Sequence, residues 1–243
     1  MARPLAYAPA LVERYPLARG VVIEATGLDN GPSPQALAAR FRAEQGAVAL
    51  RLGTVAIADL PSIAAWRRVF GDFGAKPTQH RNAAEALLRR LHKQGEIPAI
   101  GALVDLGNLV SIRHALPVAA FDRAGLVGRL TVRFADGTER FTELGSDGPV
   151  HPEPGEVVFA DDSGVVSARR WCWRQSAQSA VGPHTRDALL VIEGQHATAQ
   201  VDVDAAARDL LELLAEHQPR TRAQRYDLPP ASAWPGSCNK VHS

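Results

Sequence analysis

The chain has 243 residues, of which 46% are hydrophobic and 22% are charged, and its formal net charge at pH 7 is +1. This composition is that of a globular protein with a sizeable core, and it argues against a polybasic, histone-like binder. It leaves room for a local basic groove, because nucleic-acid binding depends on how cationic side chains cluster rather than on their total.

The two cysteines, Cys172 and Cys238, are too few and too far apart in sequence for a disulfide framework. They favour a reducing, cytoplasmic setting. The first residues lack the basic and apolar pattern of a signal peptide, and no apolar run approaches the roughly 18 residues of a membrane span. We therefore expect a protein that is not exported and has no membrane partner.

The first half of the chain predicts one strand followed by helices. The strand is the apolar run "GVVIEATGL", and the apolar periodicity that follows predicts helices over residues 34–44, 60–70 and 82–93. Asn82 has the side chain of an N-terminal cap for the third helix. A fourth, mostly buried helix is predicted within "ALVDLGNLVSIRHALP", with Pro117 ending it.

The second half predicts a sheet. "LTVRFADGTERFTEL" reads as a hairpin around Asp136 and Gly137, "EVVFADDSGVVSARRWCWR" as a second hairpin, and "DALLVIEG" as a further strand. A final amphipathic helix is predicted over residues 204–216. We expect a single domain over residues 1–218 and a flexible C-terminal tail over residues 219–243, because the tail is rich in Pro, Ser and charge without periodicity.

The stretch "RRWCWRQS" joins two tryptophans, a cysteine and three arginines. As one strand, it would place Arg169, Trp171 and Trp173 on one face and Arg170, Cys172 and Arg174 on the other. Two interpretations are open. Either the tryptophans cover the core and the arginines pair with acidic side chains, or the arginines contact a phosphate or a carboxylate. Cys172 favours a small buried hydrophobe over a nucleophile, since no neighbouring histidine lowers its pKa.

The fourth helix carries polar side chains, Asp105 and Asn108, within an apolar surround. Buried polar groups need partners, so these side chains either pin the helix to the sheet or reach a ligand or a water. The loop "GAKPTQHR" supplies Lys76, His80 and Arg81, which are either solvated or follow a phosphate backbone. The motifs of zinc hydrolases, P-loop enzymes and dinucleotide-binding dehydrogenases are absent, and we expect no metal and no cofactor.

Four motifs in order resemble the B3/B4 domain of the beta subunit of phenylalanyl-tRNA synthetase, in the form found as a free-standing protein. They are "FGAKP…NAAEALLRRL", "IPAIGALVDLGNLVSIRHALPVAAFD", "PEPGEVVFADDSG" and "ARRWCWRQS…VGPHTRDALLVIEG", and they cover roughly residues 70–194. The resemblance implies a three-layer α/β (α+β) domain with a mixed, largely antiparallel sheet flanked by helices. It also implies an aminoacyl-tRNA deacylase, a hydrolase that edits in trans and serves translation fidelity by removing a wrong amino acid.

The resemblance implies which residues form the editing pocket. "VDLGNLV" matches the pocket asparagine at Asn108, whereas Ala119 stands where the synthetase has a histidine and Ala177 where it has a glutamate that recognises the tyrosine hydroxyl. Because a site that lacks these hydrogen-bonding groups loses discrimination for a hydroxylated substrate, we expect a target other than tyrosine.

From the resemblance we expect Asn108 to act in catalysis, orienting the attacking water and the carbonyl together with backbone amides. The expected substrate-binding residues are Asp105, Ala119, Arg170, Arg174, Gln175 and Ala177. The residues expected to bind the acceptor end of the tRNA are Lys76, His80 and Arg81. A tRNA-binding or interaction module that has lost the chemistry, and a binder of a small amino-acid-like ligand, are the alternatives; no DNA partner is expected, and the oligomeric state stays open.

Overall fold

The computed structural model describes residues 3–146 and 148–229. Its helices are α1 (Pro9–Arg14), α2 (Gln35–Leu52), α3 (Pro61–Asp72), α4 (Ala83–Gln94), α5 (Ala102–His114) and α6 (Ala199–His217). Its strands are β1 (Leu5–Tyr7), β2 (Arg19–Thr26), β3 (Val118–Asp122), β4 (Leu130–Phe134), β5 (Val157–Ala160), β6 (Val166–Arg169), β7 (Arg174–Gln175), β8 (Asp187–Gly194) and β9 (Arg222–Leu228).

The strands divide into two sheets. An antiparallel sheet has the order β3-β8-β2-β9, and a mixed sheet has the order β1-β4-β5-β6-β7, in which only β1 and β4 run parallel. The described chain combines helices with one antiparallel and one mixed sheet, so the α+β class that the sequence predicted is confirmed.

The antiparallel sheet is buried on both faces, and β8 shows why. Successive side chains of a strand point to opposite faces. Leu190 and Ile192 belong to the core that packs under α2, α5 and α6, whereas Leu189 and Val191 belong to the core shared with the mixed sheet. The molecule therefore has three layers: helices, the antiparallel sheet and the mixed sheet.

The helix predictions are confirmed, with longer helices than expected at two places. Asn82 caps α4 by accepting a hydrogen bond from the backbone N–H of Glu85 at 3.0 Å. Helix α2 continues past residue 44 because Val48 and Leu52 extend its buried stripe, and α6 begins five residues before the predicted start.

The hairpin predicted around Asp136 and Gly137 is wrong. Strand β4 pairs instead with β1 and β5, and beyond the turn the chain makes only isolated bridges such as Phe141 to Val150. The turn itself is present, but the buried Glu139 carboxylate accepts hydrogen bonds from the N–H groups of Asp136 and Gly137 and directs the chain away from β4. The second predicted hairpin is confirmed as β5 and β6.

The expected flexible tail is corrected for residues 222–228, which form β9. This strand pairs along β2, with Val21 opposite Asp227, and its Leu228 is buried in the core between the sheets. Strand β2 is paired on both sides, by β8 and β9, and the high polarity of β9 reflects its place at the sheet edge. Residues 230–243 of the predicted tail, including Cys238, lie outside the described residues.

Candidate functional site

A cavity of about 450 Å³ opens between α4, α5 and the two sheets. Its walls are mostly apolar, and the polar side chains that line it come from α5, β7, β8, the segment before β7 and the segment between β4 and β5 that carries Glu143. Of the residues that the sequence predicted for a site, it contains Asn108, Ala119, Arg174 and Gln175. Such a concave, largely apolar pocket with a few convergent polar groups is typical of a ligand site.

The stretch "RRWCWRQS" is a turn between two strands, and the single strand predicted for it is wrong. Strand β6 ends at Arg169 and β7 begins at Arg174, and the chain between them bends back through positive φ angles at Arg170 (45°) and Trp171 (58°). The alternation of faces therefore does not hold here. We call residues 170–173 the tryptophan turn.

The buried Glu156 carboxylate holds the tryptophan turn in this conformation. It accepts two hydrogen bonds from the Arg169 guanidinium, at 2.9 and 2.8 Å, and one from the backbone N–H of Arg170 at 2.9 Å. The backbone N–H of Trp171 then donates to the carbonyl of Val157 at 2.6 Å. These bonds offset the strain of two non-glycine residues with positive φ.

The turn points its two tryptophans in different directions. Trp171 is fully buried and packs edge to face against Trp66, with ring centroids 5.1 Å apart. Trp173 is half-buried, and the guanidinium groups of Arg170 and Arg174 lie over its ring at 4.6 and 4.5 Å. Arginines stacked on an indole are held beside it, and of these two only Arg174 lines the cavity.

Glu193 is the functional candidate that sequence reasoning missed. The residue lines the cavity and is 3% exposed, and its carboxylate Oε1 accepts hydrogen bonds from the Tyr7 hydroxyl at 2.6 Å and the Trp171 indole N–H at 2.9 Å. Burial raises its pKa to about 7, although the two hydrogen bonds oppose the rise. The signal was available: in "DALLVIEG", Glu193 shares a strand face with Leu189 and Val191.

Cys172 lines the same cavity as an unreactive thiol. Burial, together with the nearby Glu193 carboxyl group, raises its pKa well above the usual value. A thiol that keeps its proton is a poor nucleophile. The structure thus agrees with the interpretation of Cys172 as a small buried hydrophobe.

Asn108 stands at the cavity with its amide free. It lies half-buried on α5, and among the residues that the structure describes its side chain has no hydrogen-bond partner. Gln175, across the cavity, donates to the carbonyl of Ala120 at 3.1 Å, which fixes its amide group. Arg174 forms an ion pair with Glu143 at the solvent-exposed mouth.

Three residues predicted to bind substrate do not line the cavity. Asp105 is buried and accepts from the N–H of Ile100 at 2.9 Å and from the hydroxyl of Ser33, so it anchors the start of α5. Ala177 is exposed, and its N–H donates to the carbonyl of Thr142. The third, Arg170, is turned away from the cavity by the bend of the tryptophan turn.

Arg170 faces a second depression, which we call the basic groove and define by Lys76, His80 and Arg170; Glu153 and Glu156 also line it, and Arg170 lies 3.9 Å from the Glu156 carboxylate. The His80 ring lies edge to face on Trp173, at 4.7 Å, so that Trp173 separates the groove from the cavity. Burial and the Arg170 guanidinium lower the pKa of His80, and its buried Nδ1 has no hydrogen-bond partner within the described part of the chain. Arg81, predicted together with this loop, does not line the groove and lies 3.9 Å from the Glu85 carboxylate.

No helix within residues 3–146 and 148–229 is both long and apolar enough to cross a membrane. In the same ranges, no three histidine, cysteine or acidic side chains gather in a way that could hold a metal ion.

Comparison with known proteins points to one family. The family model described as "B3/4 domain" matches residues 65–216, more than half of the chain. The beta subunit of phenylalanine–tRNA ligase from Nocardia farcinica is 39% identical over 104 residues, which are 43% of this chain and 12% of that subunit. An N-terminal fragment of the phenylalanyl-tRNA synthetase beta subunit from Pyrococcus horikoshii superposes with a TM-score of 0.47 at 12% identity, over 91% of this chain and 49% of the fragment.

The matched region is a small part of these relatives. The chain spans about an eighth of the length of the curated subunit and about half of the solved fragment. The similarity therefore concerns one domain of a much larger subunit.

Proposed function

Because the chain belongs to the B3/4 domain family, we propose that it hydrolyses the ester bond of a mischarged tRNA, acting in trans on the acceptor end. The observation that carries the proposal is the cavity itself, in which the free amide of Asn108 faces mostly apolar walls. A cavity of this kind suits the side chain of an amino acid, and the unpaired amide offers both a donor and an acceptor.

The proposed mechanism needs no covalent intermediate. The ester of an aminoacyl-tRNA is intrinsically labile, so that a positioned water and a held carbonyl are enough to accelerate its hydrolysis. Asn108 orients the water or polarises the carbonyl, Gln175 shapes the aminoacyl pocket, and the neighbouring ribose hydroxyl assists proton transfer. The raised pKa of Cys172 disfavours it as the nucleophile.

The basic groove is the proposed path of the tRNA. Lys76 and Arg170 carry positive charge, and only the ring of Trp173 lies between this groove and the cavity. His80 presents an aromatic ring beside them. Phosphate groups are held by cations, and the unstacked bases of a single-stranded end stack on aromatic rings and guanidinium groups. We place the cellular site of action in the cytoplasm, where charged tRNAs are used.

The first test is deacylation of a panel of tRNAs that carry cognate or wrong radiolabelled amino acids. We expect selective release of one aminoacyl class and a ten- to hundredfold slower release by Asn108→Ala, because the variant loses the group that orients the reactants, about 1.4 to 2.7 kcal/mol. Gln200→Ala, on the far helix α6, is the matched amide control and should not change the rate.

The roles would be assigned wrongly if Asn108→Ala kept its turnover while Arg174→Ala abolished it. Tyrosyl-tRNA belongs in the panel, because the expected exclusion of tyrosine rests on the absence of polar side chains at Ala119 and Ala177. Preferential release of tyrosine would contradict that exclusion.

A non-catalytic tRNA-binding module is the second candidate, and the methyl group of Ala119 in the cavity wall favours it. That module predicts tRNA binding that weakens with salt and no release of amino acid from any tRNA. A binder of a small amino-acid-like molecule predicts instead that a free ligand occupies the cavity without affinity for tRNA.

A further inference from the structure

The positive charge of the chain is concentrated on α3, α4 and the loop between them. Residues 61–95 contain seven lysines and arginines and two acidic residues, which leaves a net charge of +5 in a chain whose net charge is +1. Of the two acids, Asp72 is paired with Arg14 outside this segment, and Glu85 is fully buried. Charge segregated in this way gives one face of the molecule a positive potential.

Three arginines of this segment converge on the buried Glu85 carboxylate, and we call Arg67, Arg81 and Arg89 the arginine cluster. Arg67 Nη1 and Arg89 Nε each lie 2.8 Å from Glu85 Oε1, and Arg81 Nε lies 3.9 Å from it. Among the described residues the three arginines have no other acidic partner. Since one carboxylate balances one guanidinium group, two positive charges remain close together without a counter-ion.

The arginine cluster is held in place and is still open to solvent. The side chains of Arg67, Arg81 and Arg89 are 26%, 44% and 40% exposed. A guanidinium group has five N–H donors, so each arginine keeps donors beyond those directed at Glu85. Donors that are positioned before binding lose less entropy when a ligand arrives. The cluster therefore has the chemistry of a preformed phosphate site.

Further cations extend the arginine cluster along α4. Arg89 and Lys93 follow Glu85 at intervals of four residues, which places them on one stripe of the helix. Lys93 and Arg90 are exposed and have no acidic partner among the described residues. The twelve residues of α4 span about 18 Å, so the stripe offers cations to more than one phosphate of a nucleic-acid strand.

The arginine cluster adjoins the basic groove. Arg67 also donates to the carbonyl of Pro77 at 3.3 Å, and Pro77 follows Lys76 of the groove. The positive surface therefore continues from the groove beside the cavity onto the seam between α3 and α4.

The two surfaces differ in the aromatic rings that they offer. The groove has the ring of His80 against the half-buried Trp173. On α3 and α4, by contrast, the tryptophan and the phenylalanine, Trp66 and Phe70, are both buried. Unpaired nucleotides stack on accessible aromatic rings, whereas a double helix is held through its phosphates. The arginine cluster thus suits a duplex, and the groove suits a single strand.

We propose that the arginine cluster binds the phosphate backbone of the double-helical acceptor stem of the tRNA, while the basic groove holds the unpaired end that follows the stem. This inference rests on the proposed function, because it takes tRNA as the partner. Contacts to phosphates carry no sequence information, so the cluster binds stems of different sequence alike.

The test variant removes two charges from the arginine cluster and leaves Glu85 paired. Arg81→Gln/Arg89→Gln keeps Arg67, whose ion pair at 2.8 Å continues to balance the buried carboxylate. The variant therefore changes the charge offered to a phosphate and retains a partner for Glu85.

The matched control removes two arginines from the other side of the helical layer. Arg40→Gln/Arg208→Gln is suitable because Arg40 pairs with Glu216 of α6 and Arg208 is an exposed residue of α6 itself. The two double variants have the same net charge. A difference between them therefore reports where the charges lie.

The probes are two RNA hairpins without an attached amino acid, one that copies an acceptor stem with its unpaired end and one that lacks this end. Their affinities for the full chain are measured by fluorescence anisotropy over a range of salt concentrations. We expect Arg81→Gln/Arg89→Gln to weaken the binding of both hairpins about tenfold or more, because it removes two charge-assisted contacts. The slope of log affinity against log salt should become less steep by about 2, since each lost phosphate contact removes about 1.

Three results would overturn the proposal. The first is an unchanged affinity and slope for both hairpins, or no binding of either hairpin by the unaltered protein. The second is an equal loss in the control variant, because binding would then follow the total charge. The third is a loss confined to the hairpin with the unpaired end, because the cluster would then hold the single strand.

Lys76→Gln/Arg170→Gln provides the converse comparison at the basic groove. If the groove holds the unpaired end, this variant weakens only the hairpin that has the end. Equal weakening of both hairpins would contradict the division between cluster and groove.

Arg81→Gln alone guards against a folding defect, because this side chain is 44% exposed and lies 3.9 Å from Glu85. It should make the slope less steep by about 1 and leave thermal unfolding unchanged. The hairpins carry no ester, so the result does not depend on turnover. Weakened hairpin binding by the cluster variant, without deacylation by the unaltered protein, would refute only the proposed hydrolysis. Deacylation with unchanged hairpin binding would refute only the role of the arginine cluster.

Discussion

At the scale of single residues, the buried carboxyl group of Glu193 makes the stability of the fold depend on pH. Its folded pKa is about 7 against an ordinary value of 4.5, so between these pH values the folded protein holds a proton that the unfolded chain has released. Stability is therefore favoured at low pH and lost as the pH rises through 7, by up to about 3 kcal/mol. Glu193→Gln cannot titrate and lacks this loss.

Urea unfolding near pH 5 and pH 8 tests whether the Glu193 carboxyl group makes the stability fall as the pH rises. The stability of Glu193→Gln relative to the unaltered protein should increase toward pH 8 by the same order, about 3 kcal/mol. Equal pH dependence with and without Glu193 would contradict the assigned pKa.

Asn108, which the family resemblance assigned to a pocket, lines the cavity, and its catalytic role stays a prediction. Residue-scale prediction from the sequence succeeded where local chemistry decides, as in the cap at Asn82. It failed for Asp105, because a partner as distant in sequence as Ser33 occupies the carboxylate. Glu193 was overlooked for the opposite reason: a strand with buried residues on both faces hides which face borders a cavity.

At the scale of elements, the tryptophan turn depends on Glu156. We expect Glu156→Ala to lower the free energy of unfolding by about 3 kcal/mol, because it leaves the buried side of Arg169 without its counter-ion and frees the N–H of Arg170. The emission of Trp171 and Trp173 should shift to the red as the turn loosens. Urea unfolding followed by fluorescence measures both.

Glu153→Ala, an exposed acid beside the same groove, is the control for Glu156 and should change stability by less than about 0.5 kcal/mol. If Glu156→Ala lowered the free energy of unfolding by as little as Glu153→Ala, the turn would be held by packing instead. The turn could not be foreseen from alternation, because the acceptor that bends the backbone at Arg170 comes from the start of the preceding strand pair.

At the scale of the whole molecule, strand β9 ties the C-terminal part of the described chain to β2. Truncation after Gln218 removes the buried Leu228 and exposes the edge of β2, so we expect a less stable and more aggregation-prone protein. Truncation after Pro229 keeps β9 and should keep the stability. Thermal unfolding of the two truncated chains, with tRNA affinity measured alongside, distinguishes them.

If both truncated chains unfolded alike, β9 would contribute little to the sheet. Unchanged tRNA affinity after Pro229 would remove residues 230–243 from the tRNA interface. Arg225 is already engaged, because it pairs with Asp204 and Asp227. Periodicity could not reveal β9, since an edge strand with one polar face and few apolar residues resembles a solvated tail.

The pairing of β2 also bears on how the protein is made. Val21 lies opposite Ile192 on one side and Asp227 on the other, so β2 is synthesised long before either of its neighbouring strands. Until β8 and β9 have been made, the apolar run of β2 has no partner in this sheet. Completion of the antiparallel sheet therefore follows the synthesis of β9, and pairings of such high sequence separation form slowly.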